Sequence, residues 1–157
     1  MPEPSARMPK EQIALCGSLD ELAQVWLWVE ELSAEYAISA DVCFAINLCL
    51  EEALSNIVRH GYKRDCARPI TVSCFVSTHP STKRELVFVI EDKAPHFNPL
   101  DPALLNHADI AYSLDDLTPG GQGIRLLHKF AGSLHYEPLV EGNRLLIGFP
   151  ISPASHR

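Results

Sequence analysis

Glu52 and Asn56 stand four residues apart in the run Glu51-Glu52-Ala53-Leu54-Ser55-Asn56-Ile57-Val58-Arg59-His60-Gly61-Tyr62. On a helix that spacing puts both on one face, beside apolar positions such as Ala53 and Ile57. A carboxylate and an amide on a partly buried face need partners. Magnesium takes few protein oxygens and relies on substrate phosphates for the rest, a task that suits an Asn carbonyl. A Glu one turn away would serve as a general base or orient a water. The competing reading is plain surface charge at Glu51, Glu52 and Arg59, with Asn56 bonded to a neighbouring helix.

Two further segments carry chemistry. In Phe88-Val89-Ile90-Glu91-Asp92 a carboxylate ends an apolar strand, and the loop Lys93-Ala94-Pro95-His96-Phe97-Asn98-Pro99 follows at once. An Asp so placed would accept a hydrogen bond from a ligand's exocyclic amine, or would simply cap a turn. In Thr118-Pro119-Gly120-Gly121-Gln122-Gly123-Ile124 three glycines precede an apolar helix. Glycines let backbone N–H groups approach an anion closely, and a helix N-terminus favours negative charge. A bare loop-to-helix turn would look the same. No P-loop pattern occurs, and the glycines do not follow a strand in a βαβ unit, so the dinucleotide reading fails. The seven His are scattered without a metal-site spacing; His60, one turn after Asn56, is the exception, placed toward a ligand at the first segment.

Those residues need elements to hold them. A short edge strand is expected over 12–16. Apolar residues at Leu22, Val25, Trp26, Val29 and Leu32 follow the helical period to about Tyr36, behind a cap at Ser18 or Asp20. Trp26 and Trp28 lie on opposite sides of that helix, so one belongs to the core. Ser39-Ala40-Asp41 signals a second helix to about Arg59, stopped by Gly61 acting as a left-handed terminal glycine. Strands are expected over 70–77, 85–91, 132–139 and 144–150, and helices over 102–106 and 122–131. The order β-α-α-β-β-loop-α-β-β predicts an α+β fold, a two-layer α/β sandwich with a mixed sheet and its helices on one face. The long irregular stretch after Asp92 has the size of a lid or binding loop.

The 157 residues fit one domain, spanning 11–150, with tails at 1–10 and 151–157. The chain carries 13 basic and 20 acidic residues, a net charge of −7. That disfavours a phosphate-backbone binder and gives no reason to expect attachment to an anionic membrane. Cys16, Cys43, Cys49, Cys66 and Cys74 are odd in number and lack zinc spacing. With no apolar targeting segment at 1–10, this cysteine usage predicts a reducing, cytoplasmic setting.

Taken in order, the three segments resemble the N-box and the two glycine boxes of the GHKL (Bergerat-fold) ATPase superfamily. Within it, the chain is most similar to the serine-kinase anti-sigma factors and related partner-switching kinases. The carriers are Glu52-Ala53-Leu54-Ser55-Asn56 with His60-Gly61-Tyr62, Phe97-Asn98-Pro99 after Asp92, and the late Gly142-Asn143-Arg144-Leu145. The resemblance implies ATP and Mg2+ as cofactors, with Glu52 as catalytic base toward a serine hydroxyl. Asn56 would hold the metal, Asp92 would read the adenine amine, and His60, Ala94, Gly121, Gly123 and Ile124 would complete the nucleotide site. Residues 105–120 would be the lid. The implied substrate is a STAS-domain anti-sigma-factor antagonist, with a sigma factor as a further partner, no nucleic acid, and a homodimer as the assembly. One position departs: the family's Asp-x-Gly is Asp92-Lys93-Ala94 here. If that glycine serves close approach of backbone to nucleotide, a methyl weakens ATP binding; if the residue needs a positive φ, Ala costs about 1 kcal/mol. The alternative reading is a weakly active or non-catalytic nucleotide-responsive binding module.

Overall fold

Alternation is strict in Ile70–Ser77: Ile70, Val72, Cys74 and Val76 are buried, and the residues between them are not. β-branched and aromatic residues on that period make a strand with one covered face. The computed structural model describes residues 11–15, 21–62, 68–78, 84–102 and 121–151. Five strands, β1 (Glu11–Leu15), β2 (Ile70–Ser77), β3 (Glu85–Asp92), β4 (Ser133–Leu139) and β5 (Gly142–Pro150), form one sheet in the order β1-β2-β3-β5-β4. The helices are α1 (Leu22–Glu35), α2 (Ala40–Asn56) and α3 (Gly121–Phe130). Among the described residues no helix is long and apolar enough to cross a membrane.

All four strand pairings are antiparallel, which corrects the mixed sheet expected from the element order. The reason is topological. Two helices, not one, join β1 to β2, so the chain returns in the opposite sense. The crossover from β3 through α3 does bring β4 back in β3's direction, but β5 pairs with both and keeps the two parallel strands apart.

The core lies between one sheet face and the helices. Trp28, Val29 and Leu32 of α1, Ile46, Leu50 and Leu54 of α2 and Leu127 of α3 close over Val72, Phe88, Ile90, Ile147 and Phe149. Phe88 sits edge-on to both Trp28 and Phe149, at 5.7 and 6.0 Å between ring centroids. Trp28 is thus the core tryptophan, and Trp26 is 45% exposed. Complete burial of side chains such as Leu32, Leu50 and Leu54 contributes about 1.5–3 kcal/mol each.

The helix ends differ from expectation in a way that shapes the site. Ser39 caps α2 as anticipated, its hydroxyl accepting from the Val42 N–H at 3.3 Å. Glu21, with no side-chain cap bond, precedes α1; Ser18 and Asp20 lie outside the described residues. At its far end α2 passes into a π-turn, Ile57–Gly61, closed by the Tyr62 N–H on the Ile57 carbonyl at 2.7 Å. Gly61 is therefore not a left-handed terminal residue: among the described glycines only Gly142 has a positive φ. The glycine is required by space. A Cβ there would lie 2.7 Å from the Ala94 Cβ.

Candidate functional site

The candidate site is assembled around α2, whose C-terminal half offers Glu52 and Asn56 on one half-buried face. Ala53, Leu54 and Ser55 between them are buried and fix the rotation of the helix. Among the described residues no side-chain hydrogen bond ties Glu52 or Asn56 to a partner. Burial raises the Glu52 carboxyl above its ordinary value, the neighbouring Glu51 charge adds to this, and Arg59 partly offsets it. One turn earlier, burial and the Glu52 charge push the Cys49 thiol up to about 12, so it stays protonated. That thiol lies 3.9 Å from the Leu126 carbonyl, which marks where α3 packs along α2.

Asp92 ends β3 as the sequence indicates, and it is buried. Its Oδ1 accepts from the Ala94 N–H at 2.8 Å and from Asn143 Nδ2 at 2.9 Å. Burial raises the carboxyl, and these two donors work against the rise. Among the described residues both donors fall on Oδ1, so Oδ2 is the oxygen that can accept from a further group. Asp92 thus combines the turn-capping role with a spare acceptor.

The π-turn and this loop are clasped together. The Tyr62 hydroxyl donates to the Pro69 carbonyl at 2.6 Å and accepts from the Lys93 N–H at 2.8 Å. Beside it, the buried Ala94 methyl packs on Gly61. Ala94 does not have a positive φ; among described non-glycine residues only Ala37 does. The strain that would have set Ala94 against nucleotide binding is therefore absent.

Of the other sequence candidates, His60 is exposed in the π-turn, one turn beyond Asn56. Gly121, Gly123 and Ile124 fall inside the first turn of α3, which begins at Gly121. The expected lid, 105–120, and most of the short helix at 102–106 lie outside the described residues. Asn143 and Tyr62 are two residues to which sequence reasoning gave no role, although both stood within the motifs. Their roles come from partners distant in the chain.

The donor set suits a cation shared with phosphate. Asn56 offers one neutral carbonyl oxygen beside a carboxylate, and among the described residues no three His, Cys, Asp or Glu side chains converge. Magnesium bound mainly by substrate phosphates needs no more than that.

The sequence model of the histidine kinase-like ATPase domain matches residues 17–149. The chain is 32% identical over 128 residues to the serine/threonine-protein kinase BtrW of Bordetella bronchiseptica, covering 82% of this chain and 84% of that protein. The histidine kinase domain of the Erythrobacter litoralis EL346 blue-light activated histidine kinase aligns over 87% of this chain at 15% identity and a TM-score of 0.44. This chain spans 61% of that one's length.

Proposed function

The chain belongs to the histidine kinase-like ATPase family, an ATP-binding fold, and from that premise we propose that it is an ATP- and Mg2+-dependent protein serine kinase of a partner-switching system. Its proposed substrate is a STAS-domain anti-sigma-factor antagonist, with a sigma factor as a second partner and a homodimer as the working assembly. The observation that carries the reading is the pair Glu52 and Asn56, one turn apart on a half-buried face of α2. The pair stands in a chain that aligns with most of a serine/threonine-protein kinase.

In this reading Glu52 takes the proton from the attacking serine hydroxyl as its oxygen bonds to the γ-phosphorus of ATP, and ADP leaves. A carboxyl held above its ordinary value is a stronger base than an exposed one. Asn56 would hold Mg2+, which supplies neutralisation of the phosphate charge. Asp92 accepts the adenine amine on Oδ2. The glycine-rich first turn of α3 directs backbone N–H groups toward the phosphates. Phosphoryl transfer needs chiefly this positioning and charge balance.

The test is transfer of labelled γ-phosphate from ATP to the STAS-domain proteins of the same organism. Serine phosphorylation by the wild type, lost in Glu52→Gln with nucleotide binding kept, supports the reading. Binding of ATP without transfer to any of them overturns it.

A further inference from the structure

Asn143 is the side chain on which the Asp92 loop hangs. It stands second in β5, directly across the sheet from Asp92, and both are buried. Gly142 before it makes the approach possible: its φ is +111°, and a Cβ there would lie 1.8 Å from the Asp92 carbonyl oxygen. Asn143 Nδ2 donates to Asp92 Oδ1 at 2.9 Å and is shared with the Ala94 and Pro95 carbonyls at 3.3 and 3.1 Å. Its Oδ1 accepts from the Phe97 N–H at 3.0 Å and from the Tyr136 hydroxyl. Every polar atom of this amide is used, and the Phe97 N–H, which can only donate, fixes which end is the oxygen. A reversed amide would set its oxygen against the Asp92 carboxylate and two carbonyls.

The consequence reaches the ligand side of Asp92. Oδ1 faces two N–H donors, so the carboxyl plane cannot turn without breaking both bonds. Oδ2 is left as an acceptor, and a proton on this carboxyl would have to sit there. The donors on Oδ1 favour the charged form. Among the described residues the other titratable groups near Asp92 are the hydroxyls of Tyr62 and Tyr136, both engaged elsewhere, and Lys93, which is exposed. Neither tyrosine gives Asp92 a bond. Purines differ at position 6 in the matching respect: an amino group donates, and an oxo group accepts.

We propose that Asn143 is the positioning residue that sets base specificity, holding Asp92 with Oδ2 as an acceptor so that the site takes 6-amino purine nucleotides and rejects 6-oxo ones. The inference rests on the reading that Asp92 meets the base. Without Asn143 only the Ala94 N–H holds Oδ1, so the carboxyl turns more easily and protonates more readily in its buried setting. A protonated Oδ2 donates to a 6-oxo group, which is the opposite preference.

The experiment is calorimetric binding of ATP and ITP to the wild type, Asn143→Ala, Asn143→Ser and Tyr136→Phe, with a carbon-13 carboxyl titration of Asp92 in the unliganded proteins. The wild type is expected to prefer ATP. Asn143→Ala is expected to lower the ATP-to-ITP affinity ratio about tenfold, mostly by weakening ATP, the size of one hydrogen bond to a charged group. Its Asp92 carboxyl should titrate at higher pH. A merely structural role would weaken both nucleotides alike. Asn143→Ser and Tyr136→Phe should move the ratio the same way by less, and they carry the test if Asn143→Ala does not fold. A wild-type preference that survives in the folded variants, with Asp92 titrating unchanged, overturns the inference alone. A wild type that binds ATP and ITP equally, or neither, overturns the reading of Asp92 and the inference with it.

Discussion

The face of α2 that carries Glu52 and Asn56 and the loop that carries Asp92 are built on opposite principles. Asp92 is buried and held by two donors, while the residues after it are tied to Asn143 and Tyr62. Glu52 and Asn56 are half-buried, and among the described residues no side-chain hydrogen bond holds either. These bonds hold the loop in one shape, which suits the base-reading role proposed for it. Among the described residues the helix face leaves its polar groups without side-chain bonds, which suits the proton and metal roles proposed for them. The π-turn joins the two, since Tyr62 and Gly61 fix the end of one region against the other.

The sharpest way to break this division is to neutralise each carboxylate in turn. Glu52→Gln is expected to lower phosphoryl transfer by ~10²–10⁴-fold, the usual contribution of a general base, and to leave ATP affinity within about twofold. Transfer measured at saturating ATP checks this. Asp92→Asn is expected to weaken ATP by ~10–100-fold, the worth of a hydrogen bond to a charged group.

The same Asp92→Asn change should stabilise the unliganded protein. Burial raises Asp92 from its ordinary value of 3.8. A raised carboxyl contributes stability that is complete below the unfolded value and lost as pH rises through the folded one. The variant, having no such proton to lose, should melt above the wild type at pH 7 and approach it near pH 3. Melting curves across that range read the difference.

Gly61→Ala tests the link between the regions. Its new methyl would meet the Ala94 Cβ at 2.7 Å, and overpacking of that kind costs about 1–3 kcal/mol. Restoring space with Ala94→Gly in the same chain should recover most of the loss in denaturant titration. The smallest expected effect is on pH dependence: transfer should rise with pH through a Glu52 value above the ordinary 4.5, while ATP binding at constant charge on the phosphates does not follow that curve.

Much of this architecture is readable locally. The 3.6-residue spacing of α1, the Ser39 cap and the alternation in β2 each depend on neighbours in sequence. Asp92 at the end of a strand is readable for the same reason. What escapes is long-range. Nothing in Gly142-Asn143-Arg144-Leu145 tells that the amide faces a carboxylate 51 residues earlier; only strand register brings them together. The antiparallel sheet escapes likewise, because β5 sits between β3 and β4 by strand order and not by any local pattern. Gly61 was legible as a glycine that ends a helix. Its actual constraint, a missing Cβ facing Ala94, depends on a residue in another segment.

The central claim is that reading the nucleotide and moving the phosphoryl group are separate duties of these two regions. Calorimetry of ATP with Mg2+ on the wild type, Glu52→Gln and Asp92→Asn tests it most directly. The account predicts that Glu52→Gln binds like the wild type and that Asp92→Asn binds ~10–100-fold more weakly. The reverse pattern, with binding lost in Glu52→Gln and kept in Asp92→Asn, would contradict it.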